Sequence, residues 1–89
     1  MLKKAIYERR FEKEVKIAQK RGFGLPKLQH IMQLLLEGKA LSAKNRNHKL
    51  HGDFIGYWEC HIEPDWLLIY KKSDIEIVFA RTGTHADLF

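Results

Sequence analysis

Leu67-Leu68-Ile69-Tyr70 follows Trp66 without a polar interruption. Successive side chains of an extended backbone point to opposite faces. A run this apolar therefore suits a central strand buried on both sides. Whatever fold the chain adopts has to cover a sheet, and it has 89 residues to do so. That length supports one hydrophobic core and one domain, residues 1–89, because too little chain remains for a second.

The first half supplies the cover. From Glu8 to Arg21 the apolar residues Phe11, Val15 and Ala18 recur at i, i+4, i+7, which is one helical stripe. Gly22 and Gly24 end this helix. Pro26 sits where a first helical turn accepts it, and Leu25, Leu28, Met32 and Leu35 repeat at helical spacing, widened by Ile31 and Leu36, until Gly38. Two amphipathic helices with a short link form a hairpin whose apolar faces need a sheet. Leu2–Tyr7 is read as a strand and 39–49 as a polar, basic loop. Phe54–His61, Trp66–Lys71 and Ile75–Thr82 are read as three strands, the last alternating with Ile75, Ile77 and Phe79 on one face. The expected architecture is α+β, in the order β-α-α-β-β-β, with the helical hairpin on a mainly antiparallel sheet.

Charge is unevenly placed. Sixteen Lys/Arg against eleven Asp/Glu give +5 with histidine neutral. Residues 1–49 carry +9 and residues 50–89 carry −4. A basic domain of this size suits a polyanion, either nucleic acid or an acidic protein, and Lys13, Lys16, Lys20 and Arg21 are its candidate contacts. A single cysteine, Cys60, excludes an intrachain disulfide and fits a reducing cytosol. No apolar run approaches the ~20 residues of a membrane-spanning helix, and the apolar stretch after the basic start breaks at Glu8, so no signal peptide is expected.

Four of the five histidines, His48, His51, His61 and His85, lie in the second half. An antiparallel meander can bring their strand ends to one edge, together with Asp65 and Arg81. Histidine is the side chain that ordinarily exchanges protons near neutrality. Two histidines, a carboxylate and an arginine are what RNA cleavage by its own 2′-hydroxyl needs: a base, an acid for the departing 5′-oxygen, and a cation for the phosphate. A metal site is not expected, because His48-x-x-His51 and Cys60-His61 match no established ligand spacing. Trp66 and Phe89 are candidates for stacking on bases, although aromatic residues beside a strand more often belong to a core. Cys60 reads as a buried strand residue.

The segments His48-Lys49-Leu50-His51-Gly52, Gly56-Tyr57, His61-Ile62-Glu63-Pro64-Asp65-Trp66-Leu67-Leu68-Ile69-Tyr70 and Arg81-Thr82-Gly83-Thr84-His85-Ala86-Asp87-Leu88-Phe89 closely resemble the YafQ-type toxins. These belong to the RelE/ParE superfamily of bacterial type II toxin–antitoxin systems. The resemblance implies a small sheet packed on two helices. It implies a cytoplasmic endoribonuclease, an mRNA interferase that cuts mRNA in the ribosomal A site without a metal or cofactor and is held inactive by a cognate acidic antitoxin. Carried over by position, His85 resembles the proton donor and Arg81 the phosphate-stabilising cation. His48, His61 and Asp65 resemble the remaining acid–base and positioning set, with the base among them open, and Trp66 and Phe89 match more weakly. A carboxylate near His85, from Asp65 or the terminus at Phe89, would favour its cationic form. Two alternatives are a ParE-like gyrase inhibitor, which has no use for clustered histidines, and a non-catalytic RNA- or ribosome-binding module.

Overall fold

The computed structural model describes residues 2–89. Its elements run β1 (Lys4–Tyr7), α1 (Arg9–Lys20), α2 (Leu25–Leu36), β2 (His48–Lys49), β3 (Trp58–Glu63), β4 (Trp66–Lys72), β5 (Glu76–Gly83) and α3 (His85–Leu88), with 3-10 turns at Ala43–Asn45 and Gly52–Phe54. The five-stranded sheet has the order β1-β5-β4-β3-β2. β2 to β5 are antiparallel neighbours, and β1 joins β5 in parallel.

The apolar run Trp66–Tyr70 lies where its composition demands. β4 is the middle strand, and Trp66 to Tyr70 are all buried. Trp66, Leu68 and Tyr70 pack with Ile77 and Phe79 beneath Phe11 and Ala18 of α1 and Leu28, Ile31 and Leu35 of α2. On the opposite face Leu67 and Ile69 meet Ala80 and Leu88, with Leu50, Phe54 and Tyr57 closing over them. The helical hairpin covers one side; the β2–β3 connection and α3 cover the other. Among the described residues no helix is long and apolar enough to cross a membrane.

Three expectations change. The 39–49 segment is not wholly loop, because His48 and Lys49 pair with Glu59 and Trp58 as a fifth strand. The strand expected from Phe54 begins only at Trp58, because Gly52–Phe54 forms a 3-10 turn and Gly56 takes φ +90°. Ile75 lies before β5 and is exposed rather than sharing the buried face of Ile77 and Phe79.

Two irregularities aim the site. The β4–β5 register shifts between Ile69 and Tyr70, whose partners are Arg81 and Phe79, so Ala80 is the extra residue of a bulge. The β3–β4 register shifts between His61 and Glu63. β1 pairs β5 only from Glu76 to Phe79. The chain then turns into α1, with Glu8 N–H donating to Phe79 O at 3.0 Å, so α1 takes over the edge of β5 beyond that point.

Candidate active site

The β3–β4 turn and the end of β5 meet at one end of the sheet. Asp65 in that turn accepts two hydrogen bonds on Oδ1 from His85, the backbone N–H at 2.9 Å and the ring Nδ1–H at 2.6 Å. A carboxylate at this separation only accepts, so Nδ1 carries the proton and Nε2 faces away from Asp65. The two bonds from His85 hold the Asp65 carboxyl below the usual carboxylate range. Of the two carboxylates expected near His85, Asp65 makes the contact. The His61 ring lies 5.6 Å from that of His85, centroid to centroid.

A carboxylate not singled out from the sequence joins the other histidines. Glu59 on β3 is buried, and its Oε1 lies 3.4 Å from His48 Nε2 and 3.6 Å from His61 Nε2. Both rings are turned so by carbonyls on their other nitrogen. His48 Nδ1 donates to Arg46 O at 2.6 Å, and His61 Nδ1 to Pro64 O at 3.1 Å. Arg46 presents its carbonyl from a left-handed backbone, φ +48°, which few non-glycine residues adopt. Asn45 anchors the same turn by donating to His61 O at 2.8 Å. The β2–β3 pairing opposite His48 is what places Glu59 there, and it is a pairing that local periodicity does not reveal.

His48, Glu59, His61, Asp65 and His85 therefore form one connected group. Arg81 does not touch it. Its guanidinium turns to α1, where Nε donates to Glu14 at 2.9 and 3.1 Å and Nη2 donates at 2.9 Å. Trp66 is 2% exposed and its indole N–H donates to Thr82 Oγ1 at 3.0 Å, so it is part of the core and offers no face to a base. Phe89 is exposed and sits edge-on to Phe54, with 5.5 Å between ring centroids. Lys13, Lys16 and Lys20 are exposed on α1, whereas Arg21 is tied to Asp87 at 2.7 Å. His51 is exposed and contributes no side-chain contact to the group. Among the described residues no three His, Cys, Asp or Glu side chains are arranged to hold a metal ion.

The family model for the bacterial toxin of type II toxin–antitoxin system, YafQ, matches residues 3–89. The mRNA interferase toxin YafQ of Escherichia coli K12 is 46% identical over 84 residues, covering 93% of this chain and 91% of that protein. The crystal structure of YafQ from E. coli BL21(DE3) superposes with a TM-score of 0.94 at 43% identity, covering 98% of each chain. YafQ in the E. coli DinJ–YafQ toxin–antitoxin complex gives 0.92 at 43% identity, covering 100% of this chain and 99% of that one.

Proposed function

The chain belongs to the YafQ family of bacterial type II toxin–antitoxin toxins, and we propose that it is an mRNA interferase that cleaves mRNA in the ribosomal A site by side-chain acid–base chemistry. The observation that carries the catalytic reading is the His85–Asp65 pair. Asp65 fixes the Nδ1–H tautomer, and the half-exposed ring turns Nε2 away from it, where it can deliver a proton to the departing 5′-oxygen.

The proton of the attacking 2′-hydroxyl goes to the group around Glu59. Both His48 and His61 commit Nδ1–H to a carbonyl and turn Nε2 toward the same carboxylate. Glu59 is the carboxylate that either Nε2 faces as it takes up the proton. His48 is half exposed and His61 nearly buried, so His48 is the one that meets the substrate and His61 supports it. The 2′-oxygen attacks phosphorus, the P–O5′ bond breaks, and a 2′,3′-cyclic phosphate is left. Arg81 supplies positive charge to the phosphate after its guanidinium turns partly from Glu14. Phe89 stacks on a base beside the site.

Two further parts follow from surface and size. Lys13, Lys16 and Lys20 on α1 hold ribosomal RNA, since a domain of 89 residues has too little surface to align a free message by itself and relies on the ribosome to do so. The silencing partner is an acidic antitoxin drawn by the same basic half; the E. coli relative is known in complex with DinJ.

The test is cleavage by His85→Ala on programmed ribosomes in single turnover, beside naked RNA. The substitution is expected to cost ~10²–10⁴ in rate, as removal of a general acid does, with the melting temperature unchanged. Ribosome-bound mRNA is expected to be cut far faster than naked RNA. Wild-type cleavage by His85→Ala removes the donor assignment, and equal rates on both substrates remove the A-site reading.

A further inference from the structure

His85 belongs to a helix of four residues, His85–Leu88, and so short a helix does not hold itself in water. Its restraints converge on Asp87. Asp87 N–H donates to Thr84 Oγ1 at 3.2 Å, and Thr84 N–H donates back to Asp87 Oδ2 at 2.9 Å, a reciprocal cap of the first turn. Arg21, at the end of α1, donates Nη1 to Asp87 Oδ2 at 2.7 Å and Nη2 to Oδ1 at 3.2 Å. Arg21 is itself held, its N–H donating to Ile17 O at 3.0 Å before the chain turns at Gly22, φ +81°. Gly83 admits the packing: a Cβ there would lie 3.0 Å from Asp87 Cβ and 3.1 Å from its Oδ2.

Resting on the assignment of His85 as proton donor, we propose that Arg21 and Asp87 are positioning residues for that histidine: Arg21 fixes Asp87, Asp87 fixes the first turn of α3, and α3 sets the imidazole against Asp65. This gives Arg21 a different role from the lysines of α1 with which its charge groups it. Its fork is bidentate on a carboxylate, which favours geometry over point charge. A displacement of about 1 Å at a reacting group costs up to ~10²-fold in rate, so the anchor is read in the chemical step rather than in binding.

The experiment combines single-turnover cleavage on programmed ribosomes with ring ¹⁵N spectra of His85 in the free protein. Asp87→Ala and Arg21→Ala are each expected to lower the saturating rate by about 10- to 100-fold without changing the half-saturating ribosome concentration. The double variant is expected to be no worse than the poorer single, because both act through one contact. Asp87→Asn, which retains an acceptor for Thr84 N–H, is expected to recover part of the rate. In Asp87→Ala the ¹⁵N shifts marking the Nδ1–H tautomer are expected to move toward those of free histidine. A raised half-saturation in Arg21→Ala, with its saturating rate intact, would make Arg21 an RNA contact and overturn the proposal. So would unchanged cleavage by Asp87→Ala where His85→Ala is inactive. If His85→Ala cleaves normally, the donor assignment fails instead, and the spectra alone decide the anchor: unchanged shifts in Asp87→Ala overturn it, and shifts moved to those of free histidine uphold it.

Discussion

Glu14 on α1 and Arg81 on β5, 67 residues apart in the chain, form a bidentate ion pair with side chains only 14% and 11% exposed. Glu14 Oε1 also lies 3.3 Å from Thr82 N–H, on the stretch of β5 that β1 leaves unpaired. Removing one member strands the other, which for a buried pair costs about 3–5 kcal/mol; slight exposure places Glu14→Ala and Arg81→Ala near the lower end. Both are expected to lower the urea midpoint, so loss of cleavage by Arg81→Ala alone does not separate the role proposed for it at the phosphate from its part in the fold. Glu14→Leu combined with Arg81→Met is expected to recover much of the stability, since an apolar pair replaces the ionic one. That protein is expected to remain inactive. Cleavage restored along with stability would show that Arg81 serves the fold alone.

Glu59 gives a second outcome. Glu59→Gln keeps the volume and removes the charge facing Nε2 of His48 and His61. The cleavage rate at pH 7 is expected to fall by about tenfold or more, short of the ~10²–10⁴ lost with an acid–base group itself. The fold is expected to persist by circular dichroism. An unchanged rate constant in single turnover would remove Glu59 from proton acceptance.

Cys60 is fully buried, and that burial, together with the Glu59 carboxylate, pushes its thiol up to about 12. The thiolate is the reactive form. Iodoacetamide at pH 8 is therefore expected to leave the folded protein unmodified and to react only as it unfolds. Alkylation of the native protein at the rate of a free thiol would show that β3 opens independently of the core.

The helices and the β3-β4-β5 meander were legible because they repeat locally: Phe11, Val15 and Ala18 mark a stripe, and Leu67 to Ile69 a doubly buried strand. β2 was not, because two residues carry no alternation and their pairing with Trp58 and Glu59 is tertiary. α3 left one signal, Thr84 three residues before Asp87, the spacing of a capping box; a glycine beside it read first as a turn. The candidate site residues were named from the sequence by resemblance alone, and their spatial relations could not be read there. No spacing reveals that Glu59 stands between His48 and His61, that Arg81 turns away to Glu14, or that the indole of Trp66 is spent inside the core on Thr82.

Acid is expected to release the site from two sides. Asp65 is held below its ordinary range by its bonds from His85, and Asp87 by Arg21 and then Thr84. A carboxyl whose folded pKa is depressed adds stability that is fully present above its unfolded value, about 3.9, and is lost as pH falls through the folded value. The melting temperature is therefore expected to be insensitive to these two groups from pH 7 to 5 and to decline below about pH 4 as they protonate. Asp65→Asn and Asp87→Asn are each expected to flatten that acid limb, because a side chain that cannot ionise contributes no linkage. Any loss of cleavage between pH 5 and 8 then comes from groups other than Asp65. Calorimetric scans across pH 2–7 on the three proteins decide it, and an acid limb of equal steepness in all three would show that neither carboxylate is tied as the geometry indicates.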